Sequence, residues 1–213
     1  MPFELINDLL LKATTSDQTI YSKLGSMVAC HPSITFRRSF LTGGGLQDAT
    51  MRSITNEDLI MMASNGDGDV YYAWRERYIK IISLADETLN IESDQVLAFE
   101  GNIQAGTSFV GSKGTLQGLV RGAVTGQGMF TTTLTGTGDV AIISDGPAVA
   151  LTVTPEHDVF VDPDAYLGHS GEVESKFFTD VSWKNLIGQS SGESFQLRML
   201  GSGIVYIQAS ERR

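Results

Sequence analysis

This chain of 213 residues repeats itself at an interval of about 70 residues. Residues 89–98 align without a gap with residues 159–168, 70 positions further on, and a weaker copy occupies residues 20–29, 69 positions before the first. A glycine pair recurs at a similar interval, and its members are Gly66 and Gly68, Gly136 and Gly138, and Gly201 and Gly203. Repeats of this size bury a core only by packing on one another. We therefore predict three copies that pack together.

A second landmark precedes each glycine pair at a nearly constant distance. The segments that begin at Asn56, Gly126 and Gly192 lie 10, 10 and 9 positions before the pairs. The copies have the approximate bounds 1–70, 71–140 and 141–213. We expect them to form one compact domain, residues 1–213, with pseudo-threefold symmetry, so that the chain itself supplies the symmetry that a homotrimer would supply.

Short runs of β-branched and aromatic residues with alternating apolar positions predict strands throughout the chain. The clearest runs are residues 130–134, 140–143, 149–153, 195–200 and 205–207. A Gly-x-Gly segment between two such runs predicts a tight turn, because glycine adopts positive φ angles without steric cost. Residues 4–12 fit a short strand as well as a helix, and no other segment has convincing helical periodicity. The predicted fold class is all-β.

Composition and charge exclude several classes of protein. A single cysteine rules out an internal disulfide framework and a cysteine-based zinc cluster. The apolar runs are shorter than the roughly 18 residues of a membrane span, and no signal peptide is recognisable, so we expect a cytoplasmic protein without a transmembrane segment. The net charge is −10, and residues 156–174 contain six acidic side chains without a lysine or arginine. Because such a surface repels phosphate, nucleic-acid binding is disfavoured.

Residues 118–168 carry sequence motifs of a known family. They contain Gly-Gln-Gly-Met-Phe, Thr-Gly-Thr-Gly-Asp-Val and Val-Asp-Pro-Asp-Ala-Tyr-Leu. They resemble the AIM24 family, whose members carry Gly-Glu-Gly-Phe-Phe, a Gly-x-Gly turn and Val-Asp-x-x-x-Leu-Ala. The resemblance covers about residues 90–210, with Gln127 in place of the usual Glu and Gly168 in place of Ala.

The resemblance implies a specific architecture and no specific activity. The family's fold is similar to that of the tryptophan-RNA attenuation protein (TRAP), a short double-stranded β-helix that would occur three times within this chain. The family has no established catalytic activity. Its eukaryotic members are linked to the organisation of the mitochondrial inner membrane.

Several segments resemble catalytic or metal-binding motifs but are better explained by the repeat. Residues 65–69 with Glu76 resemble a calcium loop, yet Val70 stands where the loop needs its sixth-position glycine. Ser190 lies in a Gly-x-Ser-x-Gly motif, but a strand pattern follows where a nucleophile elbow needs a helix. Residues 106–113 resemble a phosphate loop without the Ser or Thr that follows its lysine. We expect no catalytic residue, no cofactor and no metal.

One weaker metal candidate combines His169, Glu172 and Glu174, because strand alternation would place both carboxylates on one face. His169, however, aligns with Phe99 and Cys30 along the repeat. This alignment predicts a packing position for the histidine. Cys30 is likewise expected to pack as a small hydrophobic residue.

We predict an interaction face from the residues Tyr72, Trp74, Glu172 and Glu174. Around the first two, residues 71–80 interleave aromatic and basic side chains in a way that suits stacking of single-stranded RNA. The overall acidity of the chain makes RNA the weaker interpretation.

The leading expectation is a non-enzymatic structural or protein-interaction module that binds protein partners or associates with itself. The alternative is a small-ligand-binding module with its site at a seam between repeats, which a co-purifying mass in native mass spectrometry would reveal. RNA binding is the third hypothesis, and it requires salt-dependent retention of RNA.

Overall fold

The computed structural model of the chain describes residues 2–16, 18–40, 60–109, 130–178 and 196–210. Within these ranges it contains β-strands and one 3-10 helix, and no α-helix. The elements are β1 (Phe3–Asn7), β2 (Leu10–Thr15), β3 (Ile20–Lys23), β4 (Met27–Cys30), β5 (Thr35–Phe40), β6 (Ile60–Asn65), β7 (Gly68–Tyr72), β8 (Tyr78–Glu92), the 3-10 helix (Ser93–Gln95), β9 (Val96–Glu100), β10 (Gln104–Phe109), β11 (Phe130–Ser144), β12 (Ala148–Val153), β13 (Val159–Val161), β14 (Tyr166–Phe178) and β15 (Gln196–Gln208). The prediction of an all-β fold is confirmed. Among the described residues, no helix has the length and apolar character needed to cross a bilayer.

The strands follow the alternation of the sequence. In β2, Leu11, Ala13 and Thr15 are buried while the side chains between them are half-buried, as a period of two requires. The run predicted at residues 140–143 lies within β11. Residues 4–12, which fit either a helix or a strand, belong to the antiparallel hairpin of β1 and β2.

The described strands form two antiparallel sheets. The small sheet has the order β1-β2-β7-β4, and the large sheet has the order β12-β15-β14-β8-β11-β9-β3-β6-β5. In addition, β10 pairs with β11, and β13 pairs with β15. The strands β8 and β11, each 15 residues long, pair over almost their full length. In the small sheet, β1 and β4 are the edge strands.

Two of the three glycine pairs lie at bends within strands. The strand β11 runs without interruption through Gly136 and Gly138, and β15 runs through Gly201 and Gly203. The prediction of a tight turn is wrong at these two pairs, because β8 and β14 continue alongside and prevent a reversal. Positive φ angles of 139° at Gly136 and 111° at Gly201 allow the bend. Opposite Gly136, the pairing skips Asp86 of β8, which forms a bulge.

The remaining glycine pair connects the two sheets. Gly66 follows β6 of the large sheet, and Gly68 begins β7 of the small sheet. The chain therefore changes sheet here instead of forming the predicted hairpin turn. A side chain at Gly66, where φ is 129°, would clash with the backbone carbonyl of Ser33, so this crossing needs glycine.

Among the described residues, three groups of buried apolar side chains form the core. The first includes Ile91 of β8 and Ile142 of β11. The second joins the two sheets, with Leu11 of β2 and Ile143 of β11 among its members. The third surrounds Met199 of β15. Because the second group contains residues of both sheets, burial of apolar surface holds the sheets together.

Candidate functional site

One strand pairing joins segments of the predicted first and second copies of the repeat. The strand β3 pairs with β9, and Tyr21 lies opposite Phe99. The two ring centroids are 5.4 Å apart, and Phe99 is fully buried. At the same place, the Lys23 ammonium lies 3.4 Å from the Asp94 carboxylate. We call this pairing the first junction.

A similar pairing joins segments of the predicted second and third copies, and we call it the second junction. Here β8 pairs with β14, and Asn90 lies opposite His169. His169 is 8% exposed; the Tyr166 hydroxyl is 2.6 Å from its Nδ1, and the Asn90 amide nitrogen is 3.4 Å from its Nε2. Burial lowers the pKa of His169 to about 4, so the ring is neutral at pH 7. His169 therefore occupies a packing position, as its alignment with Phe99 predicted.

The three residues of the metal candidate do not face one another. Glu172 and Glu174 share the exposed face of β14, as alternation predicted, whereas His169 is buried. The Lys176 ammonium lies 4.0 Å from the Glu174 carboxylate. In the part of the chain that the structure describes, no group of three or more His, Cys, Asp or Glu residues is placed to hold a metal ion.

The strand β4 is exposed along its whole length, although it aligns with β9 and the start of β14 in the repeat. Val28 is 57% exposed, Met27 is also exposed, and Cys30 is a free, exposed thiol. The prediction that Cys30 packs as a small hydrophobic residue is wrong. The physical reason is that β4 pairs with β7 alone among the described strands, so none of them covers its other edge.

The short strand β13 aligns with β3 and with the end of β8 in the repeat. Among the described strands it pairs only with β15. Phe160 is 49% exposed, and the Arg198 guanidinium lies 5.9 Å from the centre of its ring. Arg198 also donates a hydrogen bond of 2.8 Å from Nε to Asp158. An exposed aromatic ring thus lies in an acidic segment of the chain.

The four residues predicted as an interaction face do not form one surface. Tyr72 is fully buried, and its hydroxyl lies 2.6 Å from the Ser64 hydroxyl, so its inclusion in the face is wrong. Burial also raises the pKa of Tyr72. Side chains alternate between the two faces of β7, and Tyr72 lies on the same buried face as Val70.

Trp74, another residue of the predicted face, lies half-buried in the loop after β7. Its ring has the Lys23 ammonium at 5.3 Å and the Arg75 guanidinium at 5.0 Å, a cation–π arrangement. Residues 71–80, which the RNA hypothesis invokes, do not form one continuous strand, since β7 ends at Tyr72 and β8 begins at Tyr78. Arg77 is paired with Asp145 and Gln95 instead of facing a ligand.

Buried polar groups flank the second glycine pair. The Asp139 amide donates a hydrogen bond of 2.6 Å to the Glu100 carboxylate, and the Ser83 hydroxyl donates one of 2.7 Å to the Asp139 carboxylate. Burial raises the pKa of Glu100, while the hydrogen bond from Asp139 opposes this shift. These hydrogen bonds link β8, β9 and β11 next to the bend in β11.

The same contacts recur at the first glycine pair. The Asp69 amide donates a hydrogen bond of 3.1 Å to Nδ1 of His31, and the Thr14 hydroxyl donates one of 2.7 Å to the Asp69 carboxylate. Asp69 belongs to the segment that resembles a calcium loop. Its carboxylate serves here as an acceptor between strands.

Two motif-like segments cannot be followed in the structure. Ser190 lies outside the described residues, as does the end of the phosphate-loop-like segment from residue 110 onward. The part at residues 106–109 belongs to β10.

Sequence reasoning missed the exposed strands β4 and β13. Val28 of β4 and Phe160 of β13 are both exposed, and no local sequence pattern distinguishes these strands from the buried strands with which they align.

Comparison with known proteins places these features in a family. A family model described as "Mitochondrial biogenesis AIM24" matches residues 3–210. The solved structure of protein SPYM3_0169 from Streptococcus pyogenes has a similar fold, with a TM-score of 0.69 and 22% sequence identity over 98% of this chain and 92% of the other. No curated protein matches the sequence.

Proposed function

The chain belongs to the AIM24 family, and from this premise we propose that it is a non-enzymatic protein-interaction module that binds protein partners at exposed strand edges. In this proposal, three tandem TRAP-like units are arranged about a pseudo-threefold axis and form a rigid scaffold. The two junctions support the tandem units, because they pair aligned segments in matching positions. The matching hydrogen bonds of Asp69 and Asp139 give further support.

One observation carries the proposed function, and it is the exposed apolar edge of β4. An edge strand offers backbone donors and acceptors to any extended segment of another protein. Soluble proteins usually protect such edges with charged residues or proline. In β4, the residues Met27, Val28, Ala29 and Cys30 are exposed and uncharged. An edge that a partner covers needs no such protection.

The experiment is site-specific photocrosslinking in the cells that express the protein. A photoreactive phenylalanine analogue replaces Val28 in one variant and Ile204 in the control variant. Ile204 is 37% exposed on β15, but β12 and β14 cover both edges of that strand. We expect covalent adducts with protein from position 28 and few or none from position 204. Equal labelling at both positions, or none at position 28, would overturn the proposal.

A further inference from the structure

We propose that β12 is a second interaction surface, at which two copies of this chain pair through their β12 strands and form a symmetric dimer. The two strands run antiparallel and join the large sheets of both copies into one continuous sheet. This inference goes beyond the proposed function, because it concerns another edge, in the other sheet, and a partner of defined sequence.

The position of β12 leaves one of its edges without a described neighbour. The strand ends the large sheet, and among the described strands it pairs with β15 alone. That pairing runs from Ala148 opposite Gln208 to Val153 opposite Gly203 without a bulge. The N–H and C=O groups on the outer edge of so regular a strand are in position to pair with a further strand.

Two other strands of the chain occupy the position that is equivalent to β12. The strands β7, β11 and β15 each carry a residue six positions after the first glycine of their glycine pair. The residues that lie opposite it are Leu11 in β2, Lys80 in β8 and Val149 in β12. These three residues are therefore equivalent, and so are the edges to which they belong.

The first two of these edges are covered or charged. The strand β1 pairs with the outer edge of β2, and Leu5 lies opposite Leu11, which is fully buried. Lys80 lies in the part of β8 that pairs, among the described strands, with β11 alone, and a lysine on an edge strand opposes further pairing. Val149 is uncharged and 42% exposed, and no described strand covers it. The third edge thus lacks both forms of protection.

Charge permits β12 to pair with its own copy. Ala148–Val153 contain only alanine, valine, leucine and threonine. The outer strands β5 and β1 differ, since β5 carries Arg37 and Arg38 and β1 carries Glu4. Like charges that lie opposite each other destabilise a strand pair. Because each copy has a net charge of −10, a neutral strand is where two copies can approach with the least repulsion.

The sequence of β12 also matches itself when it is read in the opposite direction. With the two-fold axis at Leu151, Val149 of one copy lies opposite Val153 of the second copy, and Leu151 lies opposite Leu151. On the other face, Ala150 lies opposite Thr152. Opposite residues of an antiparallel pair share a face, so every cross-strand pair on the first face is aliphatic, and such pairs stabilise a sheet.

The size and symmetry of this contact determine what kind of assembly it forms. It uses six residues of each copy, fewer than the roughly 20 to 30 residues per side of a standard stable interface. We therefore expect reversible association that depends on concentration. Both copies use the same surface, so the contact is isologous and the assembly stops at the dimer.

The first test is sedimentation velocity of the purified protein over a range of concentrations. We expect the wild type to sediment faster as its concentration rises, up to the value of a dimer. Val149→Lys introduces the residue that β8 carries at the equivalent position, and it should reduce the association constant at least tenfold. The matched control Val28→Lys makes the same change on β4 and should leave association unchanged. Circular dichroism at the same concentrations verifies that each variant is folded.

Salt provides a further readout of the same contact. Because the paired strands are uncharged and both copies are acidic, salt screens the repulsion between them and should strengthen association. Association that weakens as the salt concentration rises would overturn the inference, since it would indicate a contact made by ion pairs. A wild type that stays monomeric at every concentration would also overturn it, as would equal effects of Val149→Lys and Val28→Lys.

The second test is a disulfide across the two-fold axis. In the background Cys30→Ser, one variant carries Leu151→Cys and the control carries Ile204→Cys. The Cα atoms of opposite residues in an antiparallel pair lie about 4.5 to 5.5 Å apart, which a disulfide can span. Ile204 is exposed but lies on β15, one strand further from the axis.

After mild oxidation, we expect linked dimers and no larger multimers from Leu151→Cys, and little linkage from Ile204→Cys. Equal yields from the two variants, or no linkage at position 151, would overturn the inferred pairing.

The two proposals fail in distinguishable ways. If the wild type stays monomeric but position 28 forms adducts with other proteins in cells, the dimer is overturned and the proposed function survives. If the wild type forms the dimer but position 28 yields no adducts, the proposed function is overturned and the dimer survives.

Discussion

Burial, rather than a charged neighbour, sets the protonation of His169. The ring is packed at the second junction against Tyr166 and Asn90, and desolvation lowers its pKa to about 4 from 6.5. In the unfolded chain the ring takes up a proton at a higher pH than in the fold. Acid therefore favours the unfolded state in the interval between the two pKa values.

We predict that His169 lowers the free energy of unfolding as the pH falls from 6.5 to 4. The pKa difference corresponds to about 3 kcal/mol, which is lost as the pH falls through this interval. The variant His169→Gln keeps a polar side chain but cannot be protonated. Its free energy of unfolding should therefore change less over this pH interval than that of the wild type. Urea unfolding of both proteins at pH 7 and pH 4.5 measures the difference. Parallel pH dependence in the two proteins would contradict the prediction.

Two residues at aligned positions, His169 and Cys30, show how far the sequence predicts the burial of individual side chains. Alignment with Phe99 correctly predicted that His169 packs inside. The same alignment failed for Cys30, which is exposed. Alignment identifies equivalent positions in a strand, but burial requires a neighbouring strand, and β4 has no described partner at its outer edge. Tyr72 was assigned to a surface because the sequence does not reveal which of the two faces of β7 packs against the core.

At the scale of the element, the glycines of the bends are conformationally required. In β15, Gly201 has a φ of 111°, and a side chain there would clash with the backbone carbonyl of Glu172 on β14. The backbone of a paired strand cannot move aside, so a side chain at Gly201 would disrupt the pairing of β14 with β15.

We predict that Gly201→Ala destabilises the protein by about 3 kcal/mol or more, since it combines a positive φ with a steric clash. The matched control is Gly106→Ala in β10, where the nearest atom to an added Cβ is 4.0 Å away. We expect this control to change stability by less than about 1 kcal/mol. Thermal or urea unfolding of the two variants measures the contrast, and a similar loss in both would contradict the account of the bend.

The elements were easier to predict than their connections. Alternation of apolar and β-branched residues correctly predicted the strands, for example residues 140–143 and 149–153. The Gly-x-Gly segments were predicted as turns, because a hairpin and a bend within a strand have the same local sequence. What distinguishes them is the neighbouring strand, since β8 continues past Gly136. Pairing between distant segments is not encoded in a local pattern.

At the scale of the whole molecule, two strand pairings connect segments that align along the sequence repeat. The first junction pairs β3 with β9, and the second pairs β8 with β14. Among the described strands, β4 pairs only with β7 and β13 only with β15. Pairing between distant segments depends on the geometry of the assembled sheets, which a local sequence pattern does not encode, so the arrangement in three units stays a prediction.

Amide hydrogen exchange of the purified protein tests the exposed edge of β4 most directly. We predict that the amides of Met27–Cys30 that face away from β7 exchange faster than the amides of β3 and β9, because β3 and β9 are paired along both of their edges. Exchange in β4 that is uniformly as slow as in β3 and β9 would contradict the account.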